Sequence, residues 1–217
     1  MHYPVFLDLK GRNCLVVGGG TVALRKVIAL LRSDAVITVV SIDYSRHFMK
    51  VAHRITMLKK PFEESDIAPG LAVVIGATDS ADVNKRISDR ARELTIFCNI
   101  VDQPALCSFI VPAVVRRDPV TIAVSTGGCA PRLAKYCKKI AADAFTSDIQ
   151  PLARYMGDIR RRLFKEVPDS KRRAMFWEEL FSVDPLEMIA SQGWESYRQR
   201  TEQLILRFKN GTGHEEN

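Results

Sequence analysis

Short apolar runs alternate with helix-compatible segments through the first half of the chain. Residues 14–17, 35–40, 71–77 and 95–101 are nearly continuous in aliphatic side chains, the pattern of strands covered on both faces. Residues 55–58 give a further, shorter strand. Between these runs, 21–31 is helix-compatible, and 81–93 sets Val83, Ile87, Ala91 and Leu94 at helical spacing. Thr78, Asp79 or Ser80 is a suitable cap for that second helix. Residues 46–54 read as a short exposed segment, and Pro69-Gly70 as a turn. Strands alternating with helices in this way predict an α/β fold with a doubly wound parallel sheet.

Past Pro104 the pattern changes. Two apolar stretches, 108–115 and 120–125, flank the turn-like 116–119, which suggests a hairpin rather than another crossover. Pro131 suits the first turn of a helix that carries Leu133, Tyr136, Cys137, Ile140 and Ala144 on one face. Arg132, Lys135, Lys138 and Lys139 lie on the other. From 147 onward the chain is helical and charged, punctuated by Pro151, Pro168 and Pro185 into three or four helices. There Phe176, Trp177, Leu180 and Phe181 form a stripe that predicts the core of a small helical domain. The expected division is 1–112, 113–146 and 147–209, with a frayed tail at 210–217.

The first strand ends in three glycines, Gly18, Gly19 and Gly20, and a helix follows at once. Gly18, Gly20 and Ala23 have the G-x-G-x-x-A spacing of a dinucleotide-binding turn, which makes the first unit Rossmann-type. The first glycine permits the tight turn, the second lets a pyrophosphate approach the backbone, and Ala23 lets the helix pack closely on the strand. Asp43, after the second strand, stands where an acidic side chain contacts the ribose hydroxyls; its other reading is a solvated loop carboxylate. Arg46 nearby would suit a 2′-phosphate, so NAD is favoured and NADP stays open. Asp102 falls at the carboxyl end of the 95–101 strand, the ligand side of such sheets. It reads equally as a general base and as a turn-capping aspartate before Gln103-Pro104.

Composition adds a partner class. Lys and Arg outnumber Asp and Glu by 32 to 25, a formal charge of +7 that attracts anions: nucleic acid, an acidic membrane surface or a polycarboxylate. The five cysteines form no C-x-x-C pair and read as reduced, mostly buried thiols of a cytoplasmic protein. No leader is evident at residues 1–4, and no apolar run approaches the roughly 18 residues of a membrane span. The four histidines make no ligand-spaced cluster, so no metal site is expected. The basic clusters 160–162 and 171–173 lack an aromatic stacking platform, which argues against nucleic acid.

Several stretches together resemble one family. Phe6-Leu7-Asp8-Leu9, the glycine turn with Thr21-Val22-Ala23, and Arg25-Lys26 look like the opening of the precorrin-2 dehydrogenases. That family includes the amino-terminal half of bacterial siroheme synthase and the fungal bifunctional dehydrogenase/ferrochelatase. The likeness continues through Ala77-Thr78-Asp79, Val83-Asn84, Asn99-Ile100-Val101-Asp102, Ser108-Phe109-Ile110-Val111-Pro112, Ser125-Thr126-Gly127-Gly128 and Phe176-Trp177-Glu178.

The resemblance implies an NAD-binding domain, a central dimerisation segment at 113–146 that makes a homodimer, and a helical segment. It implies NAD-dependent oxidation of precorrin-2 to sirohydrochlorin, with insertion of ferrous or cobaltous ion as an open addition. By position, cofactor contacts fall on Gly18, Gly19, Gly20, Thr21, Val22, Ile42, Asp43 and Thr78, and the catalytic aspartate on Asp102. The polycarboxylate substrate is assigned to Ser125, Thr126, Gly127 and Gly128 with Arg116 and Arg132. Thr126 occupies the position of the family's phosphorylatable serine. The competing reading is a dinucleotide sensor that regulates a partner without turnover; Asp102 and the 125–128 turn are the features that it would not need.

Overall fold

In the computed structural model, which describes residues 2–210, the chain divides into two units between Val111 and Pro112. The first is a parallel sheet with helices on both faces. β1 (Asn13–Val17), β2 (Val36–Ser41), β3 (Thr56–Lys59), β4 (Val73–Gly76) and β5 (Phe97–Ile100) lie in the order β3-β2-β1-β4-β5. Every neighbouring pair is parallel, with Cys14 opposite Ile37 and Val73, and Val74 opposite Cys98. From Cys14 to Val17 β1 is apolar because alternate residues serve two cores. Cys14 and Val16 join the layer under α1 (Thr21–Leu31), with Ala23, Val27, Leu30 and Leu31. Leu15 and Val17 join the layer under α2 (Ala81–Glu93), with Ile87 and Ala91. Ser80 caps α2, its hydroxyl accepting from the Val83 N–H at 3.3 Å.

One feature of this unit and one that spans both units differ from the sequence reading. Residues 46–54 are two 3-10 turns rather than an exposed strip, and Phe48 is fully buried against the first core, edge-on to Tyr44. The cysteines are less hidden than expected: Cys14 and Cys98 are buried, Cys107 and Cys137 partly so, and Cys129 is exposed. Burial pushes the Cys98 thiol up to about 12, so it is an inert packing group.

The second unit opens with an antiparallel hairpin, β6 (Ala113–Arg117) and β7 (Val120–Val124), in which Arg117 pairs with Val120. Arg116 and Arg117 belong to β6, so the turn is Asp118-Pro119 alone. α3 (Pro131–Ala144) follows, then α4 (Ile149–Glu166), α5 (Ser170–Leu180) and α6 (Pro185–Lys209). Gly193, at φ +84°, interrupts α6, which resolves three or four helices into three spans with one break. Leu163, Phe176, Leu180, Tyr197 and Ile205 form the helical core. Phe181 does not join it; its ring stacks on Trp177 and stays half-exposed. α3 also departs from its pattern. Ala134 is its buried residue, while Leu133, Tyr136 and Ile140 are 50%, 61% and 52% exposed. Of the expected tail at 210–217, Asn210 ends α6, its N–H donating to Leu206 O at 3.0 Å, and 211–217 lie outside the described residues.

No helix among the described residues is long and apolar enough to cross a membrane.

Candidate active site

The carboxyl ends of β1, β2, β4 and β5 lie at one edge of the parallel sheet, and the loops there hold the dinucleotide candidates. Gly18 has φ +123°, and a Cβ on it would stand 2.2 Å from Ala77 O, so no side chain fits between β1 and the end of β4. A Cβ on Gly19 would stand 1.9 Å from Asp43 O, which seats the turn against the end of β2. Backbone bonds lock that contact. Gly18 N–H donates to Val40 O at 2.9 Å, and Ser45 N–H donates to Gly19 O at 2.8 Å. Ser41 Oγ donates to Asp43 O at 2.6 Å.

Gly20 is different: it is exposed, and a Cβ there would meet nothing within 4 Å. It is also the N-cap of α1, with no side-chain cap and no acidic residue in the first turn. The backbone N–H groups of Thr21, Val22 and Ala23 therefore face an open space beside Gly20, at the positive end of the helix. This is the environment that a pyrophosphate requires, and the donor set fits it.

Ile42 is 70% exposed beyond β2. The Asp43 carboxylate is nearly free in solvent and lies 3.5 Å from Lys59 Nζ at the end of β3. Thr78 lies beyond β4, where its hydroxyl donates to Asn84 Oδ1 at 2.9 Å and its carbonyl accepts from Asn84 Nδ2 at 3.0 Å. Asp102 is exposed just past β5 with φ +59°, a left-handed conformation that costs a non-glycine residue about 1 kcal/mol or more. Asp34 and Thr95 share that conformation, and what sets Asp102 apart is its place at the ligand edge of the sheet.

Ser125, Thr126, Gly127 and Gly128 form the turn between β7 and α3 in the second unit. Gly127 N–H donates to Ser125 Oγ at 3.1 Å, and Ala130 N–H donates to Thr126 Oγ1 at 3.2 Å. Gly127 and Gly128 have φ +64° and +92°. Arg116 on β6 and Arg132 in the first turn of α3 are exposed.

Sequence reasoning overlooked the residues that hold this edge together. Ser41 and Lys59 were not singled out, and Lys26, Asn84 and Asn99 were noted only within longer motifs. Each is a polar residue next to or inside an apolar run, and Asn84 and Asn99 are buried. A buried amide demands partners, but the sequence does not say which.

The family model described as "Putative NAD(P)-binding" matches residues 5–113, half of the 217. The chain belongs to this NAD(P)-binding family. Further matches are a model described as "Sirohaem biosynthesis protein central" over 117–139 and one described as "Sirohaem synthase dimerisation region" over 149–205. The last falls on α4–α6, whereas the sequence reading assigned dimerisation to 113–146. Siroheme synthase of Salmonella dublin is 37% identical over 207 residues, and that of Salmonella paratyphi A 36%. Each alignment covers 94% of this chain and 45% of the relative, so the chain spans about half the length of the curated relatives it matches. A solved structure titled "SirC, precorrin-2 dehydrogenase" superposes with a TM-score of 0.75 over 93% of this chain and 100% of that one, at 24% identity. The likeness to that structure is one of fold. The NAD(P)-binding unit is thus the part of the chain whose ligand class the family establishes.

Proposed function

We propose that this chain is a precorrin-2 dehydrogenase, which oxidises precorrin-2 to sirohydrochlorin with NAD. The observation that carries this reading is Asp102. It is an exposed carboxylate, held in a left-handed conformation at the carboxyl end of β5, in the same unit as a preformed dinucleotide turn. A protein that only sensed dinucleotide would not need it. Homology to siroheme synthases over 94% of the chain supplies the substrate class.

In this proposal each group has its own task. The N–H groups of Thr21, Val22 and Ala23 bind the pyrophosphate, and Gly20 leaves room for it. Asp43 accepts from the ribose hydroxyls, with Ile42 beside it as an apolar surface for the adenine end. Lys59, 3.5 Å from that carboxylate, offsets part of its charge and so weakens the bias against a 2′-phosphate. When bound, the nicotinamide supplies the hydride acceptor. The oxidation releases a hydride and a proton from the macrocycle, and Asp102 takes the proton as general base. Thr126, Gly127 and Gly128, with Arg116 and Arg132, give backbone N–H groups and guanidinium forks to a polycarboxylate.

The protein works as a homodimer in this proposal. Leu133, Tyr136 and Ile140 form an exposed apolar stripe on α3, the kind of surface that a second copy covers. The cytoplasm is the proposed compartment, in keeping with five cysteines that are all free.

The test is an anaerobic assay in which precorrin-2 is generated in situ and the absorbance of sirohydrochlorin is followed with and without NAD. Product that requires both protein and NAD supports the enzyme. Folded protein that binds NAD but yields no product would replace it with the sensor. Adding ferrous or cobaltous ion afterwards reads the second proposed reaction, in which Asp102 accepts pyrrole N–H protons as the metal substrate enters. Loss of the sirohydrochlorin spectrum faster than without protein shows it.

A further inference from the structure

Lys26 stands on the second turn of α1, beyond the backbone N–H groups assigned to the pyrophosphate. Its ammonium is half-buried and donates to Asn99 Oδ1 at 3.3 Å. Asn99 is 7% exposed on β5, and its amide nitrogen donates to Phe109 O at 3.0 Å and lies 3.6 Å from Cys107 Sγ. Cys107 Sγ in turn accepts from Ile100 N–H at 3.2 Å and lies 3.2 Å from Ile100 O and 3.4 Å from Gln103 O. Asp102 sits inside the short loop that these contacts staple, between Ile100 and Gln103. Lys26, Asn99 and Cys107 thus form a continuous polar chain from the dinucleotide helix to the two ends of the loop that carries Asp102.

Burying an ammonium against a neutral amide is a poor way to gain stability. Desolvation pulls the Lys26 pKa below the ordinary lysine value; Cys107 and Asp102 push it back up, and Arg25 beside it on α1 pulls it down further. Perturbed cations of this kind concentrate at functional sites.

We infer that Lys26 is a positioning residue that, through Asn99, ties the dinucleotide-binding helix to the loop that holds Asp102. The inference rests on the oxidation proposed above. Lys26 need touch no reacting atom. Its charged head fixes Asn99, Asn99 fixes the 107–109 segment, and the Asp102 carboxylate keeps one direction relative to α1.

The experiment compares wild type, Lys26→Met, which keeps the length of the stem, and Lys26→Arg, which keeps the charge. In Lys26→Met, NAD affinity by calorimetry stays within about twofold, because the pyrophosphate donors are untouched. Amide exchange at 100–107, measured without cofactor, speeds up about tenfold. The kcat falls about tenfold to a hundredfold while KM for precorrin-2 changes far less. Lys26→Arg recovers most of both losses. The wild-type kcat falls on the alkaline side as Lys26 deprotonates, and Lys26→Met lacks that limb. Arg25, Cys107 and Asp102 also face Lys26, and an alkaline limb that persists in Lys26→Met does not belong to Lys26 and overturns the role. Unchanged exchange at 100–107, or an unchanged kcat, overturns it as well. A wild type that shows no NAD-dependent oxidation defeats the proposed function instead, and the exchange comparison still decides whether Lys26 holds the loop.

Discussion

Gly20→Ala separates ligand approach from folding. In the free protein the added methyl meets nothing within 4 Å, and the residue is extended, with φ −80° and ψ −178°, so neither clash nor strain follows. Two small terms oppose each other. Restricting the unfolded chain stabilises by about 0.4–1 kcal/mol, and alanine is a poorer N-cap than glycine by about 0.5–1 kcal/mol. Folding stability should therefore stay within about 1 kcal/mol of wild type. The methyl does occupy the open space beside the N–H groups of Thr21 and Val22. Loss of one charge-assisted hydrogen bond there costs about 1.5–3 kcal/mol, or roughly 10- to 150-fold in the Kd for NAD. Calorimetric titration with NAD reads the affinity, and urea unfolding reads the stability. A variant that folds normally and binds NAD within about twofold of wild type would refute the placement of the pyrophosphate at this turn.

Gly19→Ala should behave in the opposite way. Its Cβ falls 1.9 Å from Asp43 O and 2.7 Å from Ser41 Oγ, so β1 and the end of β2 must separate; a loss of about 3 kcal/mol or more is expected in urea unfolding. Asp43→Ala should weaken NAD about tenfold and narrow the gap between NAD and NADP, because Lys59 then stands alone beside the ribose, and parallel titrations with the two cofactors check it. Arg162→Met tests the helical unit through its pH dependence. Hydrogen bonding to Arg162 holds Glu166 below its ordinary value of 4.5, with Lys209 adding to the effect against some desolvation. The unfolded chain therefore binds the proton more readily. The stabilisation is complete above the ordinary carboxylate value and is lost as pH falls through the lowered one. Urea midpoints measured from pH 6 to pH 3 should fall less steeply in Arg162→Met than in wild type.

The elements that were legible in the sequence are those in which one residue pattern has one physical solution. β1 from Cys14 onward and β4 are apolar because both faces are covered, and the start of α2 was marked by three residues able to cap it, Thr78, Asp79 and Ser80, of which Ser80 is the cap. The dinucleotide turn was legible from the spacing of Gly18, Gly20 and Ala23, and the approach of Ala77 O requires the glycine at 18. What was not legible depended on partners distant in sequence. Phe48 looked like part of an exposed segment, since nothing local shows that it joins the core that Val27 and its neighbours on α1 form with the sheet. The apolar face of α3 has core spacing yet stays exposed, because a helix period reports that a face is to be covered and not by which chain. Nothing local to Lys26 shows its partner, Asn99, which is 73 positions away. Asp102 was half-legible: its position after β5 was plain, and its left-handed backbone was not.

The most direct measurement is single-turnover oxidation under anaerobic conditions by wild type and Asp102→Asn, each saturated with NAD. Absorbance of NADH and of sirohydrochlorin would be recorded together. The exchange keeps the size of the side chain and its tolerance of a left-handed backbone, and removes the base. The account predicts that wild type forms both products in equal amounts. Asp102→Asn should bind NAD with wild-type affinity and form both about a hundredfold to ten-thousandfold more slowly. Wild-type rates in Asp102→Asn, with NAD bound and both products formed, would contradict the assignment of Asp102 as the base and with it the central claim.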